Sequence, residues 1–213
     1  MPGRLYEATG GRLFAAVYDR LTAGAEEAGL ADMRARVLAQ AQGATLELGA
    51  GTGSNLAHYP DAVSELVLTE PSEHMARRLR EKVAASGRAA EVVSAPAERL
   101  PFADDSFDTV VGTLVFCTAD DPMASLGEAA RVLRPGGRLL FLEHVRADDP
   151  GLARWQDRLE GVWGYMAAGC HPNRDTLAAI EASGFTVEEL ERGRFPKAPP
   201  LVKPLISGRA TRA

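Results

Sequence analysis

Short apolar runs alternate with amphipathic stretches along most of the chain, and this alternation predicts strands that are followed by helices. The first clear strand ends at residues 46–48 and the last covers residues 205–208. Between them, apolar residues such as Met75, Leu79 and Val83 recur at four-residue intervals, which is the spacing of one helix face. The order of these elements predicts an α/β fold with a largely parallel sheet.

The helix boundaries can be predicted from capping residues and periodicity. A helix with Phe14 and Tyr18 on one face should precede the first strand, and a second should take Asp32 as its N-cap. Later helices should begin after Ser72, at Asp121-Pro122, at Pro150 and after Asn173. The inner face of the helix that follows Asp121 is expected to hold Met123, Leu126, Ala130 and Leu133.

The helix predicted from Pro150 carries both tryptophans of the protein. This helix is predicted to be amphipathic, and its apolar residues are Leu152, Trp155, Leu159, Val162 and Trp163. Large aromatic side chains after a strand end are suited to line a small apolar pocket. For Trp155 we favour a role in core packing.

A glycine-rich turn directly follows the first strand. Gly49, Gly51 and Gly53 alternate with other residues, and glycine permits backbone angles and close approaches that a side chain would prevent. Such turns bind either dinucleotides or S-adenosylmethionine, and Glu70 at the end of the second strand could accept hydrogen bonds from the ribose of either ligand. Glu47 favours S-adenosylmethionine, because a carboxylate stabilises an ammonium group and repels a pyrophosphate.

With these motifs the chain resembles the class I S-adenosylmethionine-dependent methyltransferases over nearly its full length. The residues that carry this resemblance are Glu47 to Gly53, Glu70-Pro71, Leu100 to Asp108 and Arg131 to Gly137. Within that superfamily it is most similar to the small thiol S-methyltransferases of the methyltransferase-like seven type. The closer likeness rests on Asn55 with Tyr59-Pro60, Thr113-Leu114-Val115 with Cys117, Glu143-His144-Val145, Gly169-Cys170, Arg174 with Thr176, and Val202-Lys203-Pro204 with Ile206 and Gly208.

The resemblance implies a Rossmann-like, seven-stranded sheet of order 3-2-1-4-5-7-6 with an antiparallel last strand and helices on both faces. It implies one domain, in which residues 1–43 form a helical lid and residues 44–213 form the core, with an insertion at about 148–172. The lid candidates by resemblance are Phe14 and Tyr18; a helix that packs on the domain edge is the alternative.

The resemblance also assigns site residues. Cofactor contacts are expected from Glu47, Gly49, Ala50, Gly51, Gly53, Asn55, Glu70, Pro71, Ser72, Met75, Ala97, Glu98, Thr113 and Leu114. Glu98 could instead be an ordinary loop acid. The acceptor pocket is expected to include Tyr18, Leu114, Phe116, Cys117, His144, Trp163 and His171. His144 and Cys117 are the candidate catalytic residues, although His144 could simply hold the loop after the fifth strand.

Composition narrows the other possibilities. The net charge of −5 argues against a nucleic-acid partner. The two cysteines are expected to be free thiols in a reducing cytoplasm. No apolar run is long enough for a membrane span, so we expect a soluble protein, unlike animal members of the thiol methyltransferase family. The four histidines are scattered, and no metal site is expected. The richness in alanine, arginine and glycine is typical of GC-rich bacterial genomes.

Together these features predict methyl transfer from S-adenosylmethionine to a small acceptor. A thiol is favoured because its pKa of about 8.5 supplies some thiolate at neutral pH without a strong base. No carboxylate is evidently paired with a histidine near the strand ends. The alternatives are an O-, N- or C-methyltransferase of a quinone, a natural product or a phospholipid headgroup, and an accessory protein that binds S-adenosylmethionine without chemistry. The sequence does not determine the oligomeric state.

Overall fold

The computed structural model describes residues 12–167 and 169–212, without the side chains of residues 12–17 and of Leu21. Within these residues, seven strands form one sheet of order β3-β2-β1-β4-β5-β7-β6. The strands are β1 (Gly43–Leu48), β2 (Val63–Thr69), β3 (Glu91–Val93), β4 (Phe107–Thr113), β5 (Leu133–His144), β6 (Phe185–Arg194) and β7 (Pro204–Arg212). β1 to β5 are mutually parallel, and β7 runs antiparallel to both β5 and β6. The predicted fold class and strand order are confirmed.

The helices cover both faces of the sheet. They are α1 (Arg12–Ala25), α2 (Ala31–Leu38), α3 (Glu73–Ser86), α4 (Pro122–Val132), α5 (Pro150–Met166) and α6 (Thr176–Ala182). One face buries Leu46, Val110 and Phe141 with α4 and α6, and the other buries Leu68, Val111 and Leu140 with α2 and α3. Because side chains alternate along a strand, consecutive polar residues near a strand end point to opposite faces.

Three predicted helix details are wrong. Asp32 is not an N-cap, because α2 continues from the preceding helical turn of Glu26–Leu30, which is kinked at Gly29. Asp175, rather than Asn173, caps α6 by accepting a hydrogen bond from the Ala178 amide. On α4 the buried residues are Ser125, Leu126, Ala129 and Val132, whereas Met123 is exposed.

The predicted core-packing role of Trp155 on α5 is also wrong. Trp155 and Val162 are 58% and 62% exposed, so most of the apolar stripe faces solvent. The buried residues are Ala153 and Gln156. The Gln156 amide donates to the carbonyls of Val145, Pro172 and Leu201 and accepts from the Ala147 amide. A polar residue therefore fixes this helix, and hydrophobic periodicity selected the opposite side.

Candidate active site

The glycine loop after β1 has the conformation that its sequence requires. Gly49, Gly51 and Gly53 all have positive φ angles of 58°, 58° and 84°. A Cβ atom at Gly49 would lie 2.6 Å from Val115, whereas one at Gly51 would have no neighbour within 4 Å among the described residues. The loop is therefore packed against the segment after β4 at Gly49, whereas at Gly51 the described residues leave room for a ligand to approach.

Glu70, at the end of β2, organises this loop. One carboxylate oxygen accepts from the Gly51 amide at 2.9 Å, and the other accepts from the Ser72 amide at 2.8 Å. A carboxylate oxygen can accept more than one hydrogen bond, so Glu70 can also accept from the ribose hydroxyls of a bound nucleoside. This acceptor fits S-adenosylmethionine, whose ribose carries two hydroxyl donors.

Glu47 does not present its carboxylate to a ligand in the way that the sequence suggested. It is 2% exposed, and its two oxygens accept hydrogen bonds from the Asn55 amide at 2.9 Å and the Tyr59 hydroxyl at 2.6 Å. Burial raises the pKa of Glu47 to about 7, against the effect of these hydrogen bonds. Glu47 therefore belongs to an internal polar network beneath the glycine loop.

Arg34, on α2, completes that network and was missed by the sequence analysis. Its guanidinium is 4% exposed and donates to Glu26, to the Asn55 side-chain oxygen and to the Thr113 hydroxyl, each at 3.0 Å. It ties α2 to the glycine loop and to the end of β4. Sequence patterns could not identify Arg34, because an arginine within a short amphipathic helix is typical of a solvated face.

Helix α1 lies over the glycine loop. Asp19 accepts a hydrogen bond of 2.5 Å from the Thr52 hydroxyl in that loop. Burial raises the pKa of Tyr18, while Arg34 lowers it and the charges of Glu70 and Cys117 raise it further. Tyr18 directly precedes Asp19, the α1 residue that is hydrogen-bonded to the glycine loop. The other lid candidate, Phe14, has its side chain outside the described part of the chain.

The residues that were expected to surround an adenine differ in their burial. Ala97 and Met75 are buried near the ends of β3 and β2, and Pro71 is exposed. Glu98 accepts hydrogen bonds from the Asp120 and Asp121 amides at 2.9 and 3.4 Å. Its carboxylate therefore stabilises the loop before α4, which supports the reading of Glu98 as a loop acid.

The segment after β4 is held by Glu143. This carboxylate is fully buried at the end of β5 and accepts from the amides of Val115, Phe116 and Cys117 at 2.8, 3.0 and 3.1 Å. Burial raises the pKa of Glu143 to about 7, although these three bonds oppose the rise. Just before them, Leu114 adopts a positive φ of 58°. Strained residues of this kind cluster at functional sites.

Cys117 and Cys170 lie together at this end of the sheet. Both are buried free thiols, and the His171 amide donates to the Cys117 carbonyl at 2.8 Å. Contact with Cys170, burial and Glu143 raise the pKa of Cys117 well above its usual range, whereas the same contact lowers the pKa of Cys170. A protonated thiol is a poor nucleophile, so a nucleophilic role for Cys117 is not supported.

His144 does not pair with Cys117. Glu143 points toward the segment after β4, and His144 therefore points to the other face, where its ring packs on Phe195 at 4.7 Å. Burial lowers the pKa of His144 to about 4, and its Nδ1 atom has no hydrogen-bond partner among the described residues. A neutral, weakly basic imidazole fits a role in packing better than a role as general base.

His171, in contrast, has a carboxylate partner. Its Nδ1 atom is hydrogen-bonded to Glu160 on α5, and both side chains are 34% exposed. The expectation that no histidine near the strand ends pairs with a carboxylate was wrong, because Glu160 and His171 are brought together only by the fold. Arg174 donates to the Phe116 carbonyl at 2.6 Å and fixes the same region. Nearby, the indole N–H of Trp163 lies against the Cys170 sulfur and lowers the pKa of that thiol.

The described residues were also considered as metal ligands and their helices as membrane spans. Within residues 12–167 and 169–212, no group of three or more histidine, cysteine or acidic side chains is arranged to hold a metal ion. None of the described helices is both long enough and apolar enough to cross a bilayer.

The chain is similar in sequence to several known methyltransferases. A family model described as a methyltransferase domain matches residues 46–141. The human thiol S-methyltransferase TMT1B is 37% identical over 177 residues, which is 79% of this chain and 70% of that protein. A demethylmenaquinone methyltransferase from Clavibacter sepedonicus is 30% identical, and the match covers 68% of this chain and 66% of that enzyme.

The fold comparison agrees with the sequence comparison. The structure of an S-adenosylmethionine-dependent methyltransferase from Thermotoga maritima matches all of both chains with a TM-score of 0.72 at 22% identity. The strand order, the glycine loop and these relatives lead to one conclusion. The chain belongs to the class I methyltransferases, which use S-adenosylmethionine as methyl donor, and within them it is related to the thiol S-methyltransferases TMT1A and TMT1B.

Proposed function

We propose that this enzyme transfers the methyl group of S-adenosylmethionine to the sulfur of a small thiol. The observation that carries the proposal is the 37% identity to a thiol S-methyltransferase over 70% of that protein. Methyl transfer is a direct displacement at an activated carbon, so positioning and exclusion of water contribute more than covalent catalysis. The end of the site that holds Cys117 and Cys170 is buried, which is consistent with the exclusion of water.

We infer how the cofactor is held from the described contacts. The open side of Gly51 and the carboxylate of Glu70 would hold the ribose, and the loop at 95–98 would border the adenine. The network of Arg34, Asn55 and Thr113 would underlie the methionine end, with Glu47 acting through Asn55 rather than directly. Tyr18 would cover the site from α1. Bound S-adenosylmethionine supplies the methyl group, and the chain supplies its orientation.

The acceptor pocket is proposed to lie beyond the β4 end, with Leu114, Phe116 and Cys117 as its floor and Trp163 and His171 on the α5 side. Phe116 is fully buried, and the other four are partly or largely buried. A small acceptor is favoured over a nucleic acid because the chain carries a net charge of −5. We propose the cytoplasm as its compartment, in keeping with the two free thiols.

A second candidate function is methylation of a quinone precursor. It is favoured by the 30% identity to a demethylmenaquinone methyltransferase over 66% of that enzyme. The same core hosts many acceptors, so the fold alone does not discriminate between sulfur and carbon or oxygen acceptors.

The test combines cofactor binding with an acceptor panel. Purified protein would receive labelled S-adenosylmethionine with alkyl thiols, thiophenol, phenols and a quinol, and methylated products would be separated. We expect turnover of thiols; turnover of quinols or phenols without thiols would replace the proposal with the second candidate.

Calorimetry with S-adenosylhomocysteine tests the cofactor assignment separately. Glu70→Ala should weaken binding by about 1.5–3 kcal/mol, since charged hydrogen bonds to the diol are lost. Glu73→Ala, which removes an exposed acid three residues later, is the matched control and should bind as the parent does. Equal affinity of both variants would contradict the ribose assignment.

A further inference from the structure

The pair of His171 and Glu160 has the arrangement of a general base and its orienting carboxylate. Glu160 lies on α5, and His171 lies on the loop that follows it. A carboxylate at Nδ1 fixes the tautomer that carries a proton there, which leaves the Nε2 lone pair free to accept one. It also stabilises the imidazolium that forms when the proton is accepted.

The backbone connects this pair to the proposed acceptor pocket. The His171 amide donates to the Cys117 carbonyl, and the Arg174 side chain donates to the neighbouring Phe116 carbonyl. Glu143 holds the same segment by accepting hydrogen bonds from three of its amides. The position of His171 is thus fixed relative to the β4 end, although its ring remains 34% exposed and can exchange protons with water.

We propose that His171 is the general base for the methyl acceptor and that Glu160 is its positioning residue. This inference rests on the proposed function of thiol methylation. His171 Nε2 would take the proton of the acceptor S–H group as the sulfur electron pair forms the bond to the methyl carbon. The electron pair of the broken carbon–sulfonium bond stays on the sulfur of S-adenosylhomocysteine. The imidazolium then releases its proton to solvent.

Other titratable groups near the acceptor pocket are less suitable than His171 as the general base. His144 points to the other face and is held neutral by burial. Besides Glu160, the titratable or charged side chains in this region are Cys117 and Glu143 at the β4 and β5 ends, and Cys170 and Arg174 on the loop of His171. Of all these groups, only Glu160 is hydrogen-bonded to the imidazole in the described residues. Its loss should therefore affect His171 most directly.

Three variants separate catalysis from structure. His171→Gln removes the base, and Glu160→Gln removes the orienting charge. Asp157 lies on α5 one turn before Glu160 and forms an exposed ion pair with Arg146. Asp157→Asn breaks that pair and serves as the control for helix stability. Two acceptors would be compared: 2-mercaptoethanol, which is mostly protonated at neutral pH, and thiophenol, which is mostly ionised.

The expected result is selective. With 2-mercaptoethanol, His171→Gln should lower kcat by roughly 100-fold, the low end of general-base contributions. With thiophenol it should lower kcat less than about threefold, because the thiolate no longer needs a base. Asp157→Asn should match the parent with both. An equal loss on both thiols in His171→Gln, or no loss on either, would overturn the proposal.

A readout independent of turnover uses nitrogen NMR of the imidazole in the protein without ligands. In the parent, the neutral imidazole of His171 should carry its proton on Nδ1, which faces the Glu160 carboxylate. In Glu160→Gln part of the neutral form should carry the proton on Nε2 instead, because a glutamine amide can also donate to Nδ1; Asp157→Asn should match the parent. An unchanged tautomer in Glu160→Gln would overturn the positioning role. If the parent methylates no thiol, the proposed function fails while the tautomer still reports on the pair, so the two failures are distinguishable.

Discussion

The cofactor end and the acceptor end of the site are built in different ways. At the cofactor end, three glycines with positive φ follow β1 directly, and Glu70 at the end of β2 accepts from the Gly51 and Ser72 amides. At the acceptor end, Glu143 on β5 and the loop residues His171 and Arg174 hold the backbone of residues 115–117, and Glu160 is hydrogen-bonded to His171. The cofactor loop is therefore recognisable from a continuous motif, whereas the acceptor end is assembled by the tertiary fold.

The largest expected effect is at the acceptor end. Glu143→Ala leaves the amides of Val115, Phe116 and Cys117 buried without an acceptor. Each unsatisfied buried donor costs about 1–3 kcal/mol, so the loss of three should lower the unfolding free energy by roughly 3–9 kcal/mol in urea titrations. Glu143→Gln keeps an acceptor oxygen and should lose clearly less. Equal losses would mean that the charge, not hydrogen bonding, holds this segment.

A comparable test at the cofactor end uses two glycines with the same φ. Gly49→Ala should lower unfolding free energy by about 2–5 kcal/mol, because a left-handed conformation and a clash with Val115 add together. Gly51→Ala has the same φ of 58° but open space around it and should lose only about 1–2 kcal/mol. If both variants lose the same amount, close packing against β4 does not constrain the loop.

How far the sequence could predict each end follows from this difference. Gly49, Gly53 and Glu70 were identifiable because glycine spacing and a strand-terminal acid are local signals. The pairing of Glu160 with His171 was not identifiable, because the path of the loop between them is set by the tertiary fold. The burial of Arg34 was not identifiable either, because its partners Asn55 and Thr113 are 21 and 79 residues away. On α5, hydrophobic periodicity was misleading, because Gln156 satisfies four backbone groups and takes the inward position.

A pH experiment tests the buried network under the glycine loop. The pKa of Glu47 is raised from an ordinary 4.5 to about 7, so the folded state binds more protons than the unfolded state between these values. Stability from this group is therefore present below pH 4.5 and is lost as pH rises through 7. At about 1.4 kcal/mol per pKa unit, the loss is up to about 3 kcal/mol.

The measurement is urea unfolding of the parent and Glu47→Gln from pH 5 to 8. The difference between the two proteins isolates this group from Glu143, whose raised pKa has the same sign, and from His144, whose lowered pKa has the opposite sign. The variant should gain stability relative to the parent as pH rises. A constant difference across this range would show that Glu47 ionises normally.

The smallest effect is expected on the exposed side of α5. Trp155→Ser should change unfolding free energy by less than about 0.5 kcal/mol, because the side chain is 58% exposed and removal leaves no cavity. The adjacent Gln156→Ala removes four buried hydrogen bonds and should lose several times more. A large loss for Trp155→Ser would mean that α5 packs through its apolar stripe after all.

The central claim, methyl transfer to sulfur, is tested most directly by one acceptor that offers two atoms. Purified protein would be incubated with 4-mercaptophenol and S-adenosylmethionine carrying a ¹³C methyl group, and the product would be read by carbon NMR. The account predicts a single methyl signal in the thioether region. A signal in the aryl methyl ether region instead would contradict it and identify the enzyme as an O-methyltransferase.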